Sequence, residues 1–318
     1  DGEAPNSWPA VKEYVESSIT IVKDAVPNDD HEFEFTSNFR PTFWLSDTGG
    51  TASIEYDGLV GGRYVITEGA EADWSLDAIE CSGGVSTTVD VAGRTATIDL
   101  GQDEHVTCVF TNTKVGARLL LTPTEAVNLA GEDHVLTATL ELDEDGDGTY
   151  ETLGKNETIT FTYTSGYTLT PESCDTGSSG WCTVTLEAPE GTGTAVVKAH
   201  WNGMIGTAEV TAESAPAEKT WVDGYVEIEP LEETNEIGEP HTFTITAVAS
   251  GTATNGWYIT PTFSVEPDEV DATSCEGLLA GGTSVSCTVT ITNYEPEVFV
   301  VTGTATLLFE DDVVVVKE

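Results

Sequence analysis

TPTEAVNLAGEDHVLTAT, residues 122–139, and EPLEETNEIGEPHTFTIT, residues 229–246, are one pattern written twice. Pro123, Asn128, Gly131 and His134 recur at the same spacing as Pro230, Asn235, Gly238 and His241. Each copy runs on into alternation, HVLTATLEL in one and HTFTITAVA in the other, and later reaches CTVTL from Cys182 or CTVTI from Cys287. Alternation with period two puts every second side chain on one face, the mark of a strand buried on one side. Matches at both ends of the pattern imply a duplicated unit of about 100 residues, the usual size of a domain.

Working outward, the rest of the chain is built the same way, from short alternating segments broken by Gly, Pro, Asn and Asp. That spacing argues for an all-β protein made of antiparallel sandwiches. The expected organisation is a leader or docking arm at 1–17 and three tandem β-sandwich domains at 18–115, 116–217 and 218–318. The linkers TKVGA and SAPAEKTW are short, so the domains are expected to stack as a rod. Helical periodicity is confined to NSWPAVKEYVES, residues 6–17, where Asn6 or Ser7 could cap, Pro9 suits a first turn, and Val11, Tyr14 and Val15 share a face.

The chain of 318 residues carries 56 acidic against 11 basic side chains, a formal charge of -45. Such a surface repels nucleic acid and anionic lipid headgroups, so neither is expected as a partner. It is best tolerated where salt or divalent cations screen it, which suits the outside of a cell. No apolar stretch reaches membrane-spanning length; the longest, VVVV at 313–316, reads as a strand. The first residue is Asp1 rather than Met, as in a mature N-terminus after signal removal or in a trimmed chain. Six cysteines fall into three local pairs, Cys81 with Cys108, Cys174 with Cys182 and Cys275 with Cys287. With no CxxC spacing, they read as three intradomain disulfides formed in an oxidising compartment.

One stretch breaks the pattern. In SITIVKDAV, residues 18–26, Ile19, Ile21 and Lys23 share a strand face, which places a lysine on the oily side. A buried ammonium is costly unless it is paired or neutral. The same face test groups Tyr64, Ile66 and Glu68, and then Val106, Cys108, Phe110 and Asn112. A neutral Lys23 amine could attack the Asn112 side-chain amide while a protonated Glu68 polarises it and passes a proton to departing ammonia. The product would be an isopeptide crosslink made once. The plainer reading is a buried Lys23–Glu68 salt bridge with Asn112 hydrogen-bonded nearby.

The run from ITIVKDA through GGRYVITEGAEADW to VTCVFTNTK resembles the prealbumin-like B-type domains, the SpaA type, of Gram-positive collagen-binding adhesins and sortase-assembled pilins. The resemblance covers residues 18–115. It implies that Lys23, Glu68 and Asn112 form the family's isopeptide bond. Two departures stand out: the Cys81–Cys108 pair is foreign to the common pilin form, and no sortase sorting signal is present. The later domains resemble the bacterial immunoglobulin-like repeats of surface adhesins, and KTWVDGYVEIEP is the kind of opening such tandem repeats have.

LDEDGDGTYE places Asp143, Asp145, Asp147 and Gly148 in the D-x-D-x-D-G spacing of a calcium loop, with Glu151 at the ninth position. Gly154 stands where the bidentate Glu belongs, so an acidic hairpin turn is the alternative. His134 and His241 share a repeat position, which suggests a structural contact, and His31, His105 and His200 lack metal spacing. Catalytic signatures for an external substrate are absent, so no enzyme and no required cofactor are expected. Trp181, Trp201, Trp221 and Trp257 suit a carbohydrate platform or, more simply, sandwich cores. Asn156 lies in an N-x-T glycosylation triplet.

Together these readings point to an extracellular bacterial structural protein. In one version it is a filament subunit joined head to tail to copies of itself, one terminus completing a neighbour's sheet; the leader through YVESSITIV and the hairpin ATLLFEDDVVVVKE are the candidate donors. In the other it is the monomeric stalk of an adhesin that binds other cell-surface proteins or glycans.

Overall fold

A computed structural model describes residue 12, residues 15–309 and residues 312–317. The helical reading of the leader falls largely outside the described residues. The protein is all-β: among the described residues the only helical turns are short 3-10 turns at Gly177–Ser179 and Thr273–Cys275. No described helix is long and apolar enough to cross a membrane. The chain divides into two compact units, one formed by residues 1–118, 141–153 and 202–212, the other by 119–140, 154–201 and 213–318.

In the first unit nine strands make a sandwich: β1 (Ser17–Val26), β2 (Glu32–Ser37), β3 (Phe43–Ser46), β4 (Ala52–Leu59), β5 (Gly62–Glu68), β6 (Trp74–Ser82), β7 (Thr87–Asp90), β8 (Thr95–Leu100) and β9 (His105–Lys114). One sheet has the order β4-β1-β9-β6 and the other β3-β2-β5-β8-β7. The first and last strands, β1 and β9, lie side by side in parallel. Alternation sends Ile19, Ile21, Phe33, Phe35, Ile66, Ile98 and Phe110 into a common core. Each large side chain buried there contributes roughly 1.5–3 kcal/mol. Phe35 packs edge-on against Phe110 at 5.2 Å and stacks on Phe43 at 5.3 Å, closing the space between the sheets.

The second unit carries the repeat. His134 opens a strand that pairs with Trp181–Leu186, and His241–Ser250 pairs with Ser284–Thr292. Ala138 faces Cys182 in the first pairing and Ile245 faces Cys287 in the second. Ala138 and Ile245 are matching positions of the repeat, so the duplication extends to strand register. Where the sequence suggests a linker at SAPAEKTW, the structure has instead a strand, Ala217–Glu229. Its first half pairs with Gly193–Val197 and, in parallel, with Glu125–Leu129. Its second half pairs with His241–Ser250. One strand therefore belongs to both repeats. Lys219 hides this in the sequence, because a lysine among Ala, Pro and Glu reads as solvated linker although Ala217, Lys219 and Trp221 all point inward.

The terminal hairpin is an ordinary part of its own sheet: Val313–Lys317 pairs with Val301–Leu308, which pairs with Thr254–Phe263. Of the other donor segment named above, YVESSITIV, the part from Ser17 onward lies in β1 and is paired with β4 and β9 in its own sheet, and residues 1–11 and 13–14 lie outside the described residues. Trp201, Trp221 and Trp257 are buried, as a core role requires, while Trp181 is 49% exposed.

Candidate functional site

Lys23, Glu68 and Asn112 meet in the core of the first sandwich, and all three are buried. In the β1–β9 ladder Lys23 faces Phe110 and Ala25 faces Asn112, so Asn112 lies two residues along from Lys23 on the same inward face. Glu68 ends β5 in the opposite sheet, where it pairs with Phe35. Three strands from two sheets thus bring one amine, one carboxyl and one amide to a single buried point.

Lys23 Nζ donates to the carbonyl oxygens of Asp24 at 2.7 Å and Phe110 at 3.0 Å. It lies 3.8 Å from Glu68 Oε1 and 4.2 Å from the centre of the Phe33 ring. Asn112 Nδ2 donates to Glu68 Oε2 at 3.2 Å. Glu68 Oε1 and Asn112 Oδ1 are buried without a hydrogen-bond partner. A second cation completes the cluster: Arg94 Nη2 donates to Glu68 Oε2 at 2.8 Å, and its Nε donates to the Gly69 carbonyl at 3.0 Å. Arg94 sits at the turn into β8 with φ 53. It was not among the residues singled out in the sequence, yet the face test finds it, because it stands two residues before Ala96 in the inward series Ala96, Ile98, Leu100.

Burial lowers the Lys23 pKa from its ordinary 10.5 to about 8, against the pull of Glu68 and with a push from Arg94. At neutral pH about a tenth of such an amine is uncharged and nucleophilic. Burial raises the Glu68 pKa while Lys23, Arg94 and Asn112 draw it down. The arrangement therefore supplies the parts of an aminolysis. The lysine nitrogen adds to the amide carbon of Asn112, and the C–Nδ2 bond breaks. The leaving nitrogen is the one already against Glu68, so a protonated carboxyl there is placed to complete ammonia. The same contacts also describe a buried ion cluster of two cations and one carboxylate.

The three cysteine pairs form disulfides, Cys81–Cys108, Cys174–Cys182 and Cys275–Cys287. Cys81 faces Cys108 across the β6–β9 ladder, on the strand that carries Asn112.

At the acidic hairpin, ligand atoms of Asp143, Asp145 and Asp147 lie within 4.8 Å of one another. Both oxygens of Asp143 accept backbone N–H bonds, from Gly146 at 2.8 Å and Gly148 at 3.0 Å, and so shape the turn. Glu151 is turned to the Thr149 hydroxyl, at 2.5 Å. Hydrogen bonds alone thus account for much of this loop, and three exposed or turn-bound carboxylates are fewer oxygens than a full calcium shell needs.

The repeat histidines differ. His134 Nδ1 is 3.0 Å from Asn128 Oδ1, whereas Asn235 donates to the Pro240 carbonyl at 3.4 Å. Lys219, like Lys23, is a buried lysine; its Nζ donates to the Pro123 carbonyl, and burial lowers its pKa to about 8.

Residues 19–114 match the family model of a prealbumin-like fold domain. A search of curated proteins gives no match. Among solved structures, the D00-D0 domain of intimin is 17% identical with a TM-score of 0.23, covering 51% of this chain and 92% of that one. An I-band fragment of titin is 9% identical with a TM-score of 0.27, covering 81% and 92%. An ICAM-5 ectodomain fragment is 12% identical with a TM-score of 0.28, covering 90% and 75%. Likenesses this loose bear on neither mechanism nor partners.

Proposed function

We propose that the chain is an extracellular structural protein, the subunit of a bacterial surface fibre assembled head to tail by strand complementation. The observation that carries this reading is the strand Ala217–Glu229, which completes a sheet in one repeat and begins a sheet in the next. A chain that already joins its own repeats by a shared strand needs no new chemistry to join copies: an extended segment laid on an open edge gains a ladder of backbone hydrogen bonds. The prealbumin-like match at residues 19–114 supports membership of a surface-fibre class. Three disulfides and a charge of -45 support an extracellular setting. On this reading the protein acts on no external substrate, and it is organised as three sandwiches near 18–115, 116–217 and 218–318, the last two sharing the strand Ala217–Glu229.

Within that role Lys23 and Asn112 form a single-turnover isopeptide bond with Glu68 as proton shuttle. The bond ties the first strand of the sandwich to the last, the pair that a load along the fibre would pull apart. Asp143, Asp145 and Asp147, with Glu151 nearby, take calcium from a calcium-rich medium. Sedimentation velocity over a range of concentrations tests the fibre reading. Assembly that grows with concentration supports it, and one monomeric species throughout transfers the chain to the stalk of an adhesin.

A further inference from the structure

The two repeats differ at one edge. In the second sandwich Glu125–Leu129 pairs in parallel with Glu218–Val222, register Ala126 to Lys219 and Leu129 to Val222. Lys219 Nζ reaches the Pro123 carbonyl, and Trp221 Nε1 donates to the Glu132 carbonyl at 2.9 Å. Trp221 and Val222 are fully buried by this docking. In the third sandwich the matching segment is Glu232–Glu236, which is no strand, and residues 231–240 are all exposed. Beside it lies an open groove of about 620 Å³ floored by Phe243, Ile291 and Phe299. Phe243 is only half-buried, while its counterpart Leu136 is completely buried. Glu233, Glu236, Glu295 and Glu297 line the groove.

The chain holds a second copy of the strand that fills the equivalent place. Lys219-Thr220-Trp221-Val222 is followed by Asp223-Gly224 and then the apolar pair Val226 and Ile228. Lys12-Glu13-Tyr14-Val15 is followed by Glu16-Ser17 and then Ile19 and Ile21 at the same offsets. Both are lysine, any residue, aromatic, valine, with the lysine seven residues ahead of the first of the apolar pair; residues 219–222 lie within the strand Ala217–Glu229, and residues 12–15 precede β1. Val15 is 44% exposed where Val222 is fully buried. Lys12 interacts within its own chain, and docking would exchange that interaction.

We propose that the groove of the third sandwich takes the leader of a second copy of this chain. Lys12 to Val15 lie parallel on Glu233 to Glu236, with the Lys12 ammonium on the Pro230 carbonyl and the Tyr14 ring on the apolar floor. The Lys12 ammonium meets the acidic rim, while Glu13 and Glu16 beside it leave the segment net acidic, so salt that screens the repulsion tightens the contact. Donor and acceptor are different surfaces, and such a heterologous contact repeats without closing, as a filament requires. The inference rests on the head-to-tail reading and names its two faces.

The test mixes full-length Val15→Cys and Glu236→Cys chains under mild oxidation. All six native cysteines are paired, so only the introduced thiols react. Facing positions of paired strands lie within disulfide reach, while a shift of three residues adds about 10 Å. The 15–236 pair should therefore crosslink at least about tenfold more than a Val15→Cys and Glu233→Cys control. A peptide of residues 217–224 should compete it away. Electron microscopy of the unmodified chain runs alongside. Filaments without the 15–236 crosslink overturn this docking and leave the fibre reading standing; neither filaments nor crosslink overturns both.

Discussion

Arg94 and Asn112 bind the same oxygen of Glu68, Oε2, at 2.8 Å and 3.2 Å, leaving Oε1 of that carboxylate to Lys23 at 3.8 Å. The guanidinium thus stabilises a carboxylate that burial would otherwise leave poorly compensated. It also adds a positive charge beside the lysine, which helps the amine stay neutral.

Replacing Arg94 by Met removes one partner of a buried ion cluster. Urea unfolding should show a loss of about 3 kcal/mol, the scale for stranding a buried charge. Crosslink conversion should change as well, because Arg94 opposes protonation of Lys23 and also holds down the pKa of Glu68, the proton donor. An unchanged midpoint and unchanged conversion would mean that Arg94 is a bystander.

The crosslink itself is read by intact mass. Beyond the six hydrogens lost to three disulfides, the chain should be lighter by one ammonia. Lys23→Ala and Asn112→Ala should each restore that mass, and Glu68→Gln should restore most of it. A native chain at full mass would leave Lys23 in an ion cluster.

The pH dependence follows from the same lysine. Its folded pKa of about 8 lies below the ordinary 10.5, so between those values the unfolded chain binds the proton and the folded chain does not. Stability therefore rises with pH through that window, by on the order of 3 kcal/mol if Lys23 titrates. An isopeptide nitrogen does not titrate. Asn112→Ala should show the rise and the crosslinked native chain should lack that increment; Lys219, shifted to the same value, contributes equally to both. Identical slopes would contradict a native crosslink.

Calcium should raise the melting temperature if the hairpin binds it. Ligand at a hundred times its Kd stabilises by about 2.7 kcal/mol. Asp145→Asn with Asp147→Asn should abolish the shift while preserving the turn, which rests on Asp143. No shift in the native chain would return the loop to a plain acidic hairpin.

Much of this was legible in the sequence because burial in a sandwich has period two. Ile19, Ile21 and Lys23, or Val106, Phe110 and Asn112, announce their face without any knowledge of neighbours. Arg94 was less visible because it precedes its strand in a left-handed turn, where an arginine ordinarily faces water. Lys219 was hidden by its acidic and proline-rich surroundings. That Ala217–Glu229 serves two sheets is a fact of pairing, and local alternation carries no information about which partners a strand takes.

The most direct measurement is electron microscopy of the purified chain at raised concentration with calcium present, with and without residues 1–17. Filaments in the intact chain that vanish when the leader is removed are the expected result. Isolated particles in every condition would contradict a fibre subunit, and so would filaments indifferent to the leader as far as its role as donor is concerned.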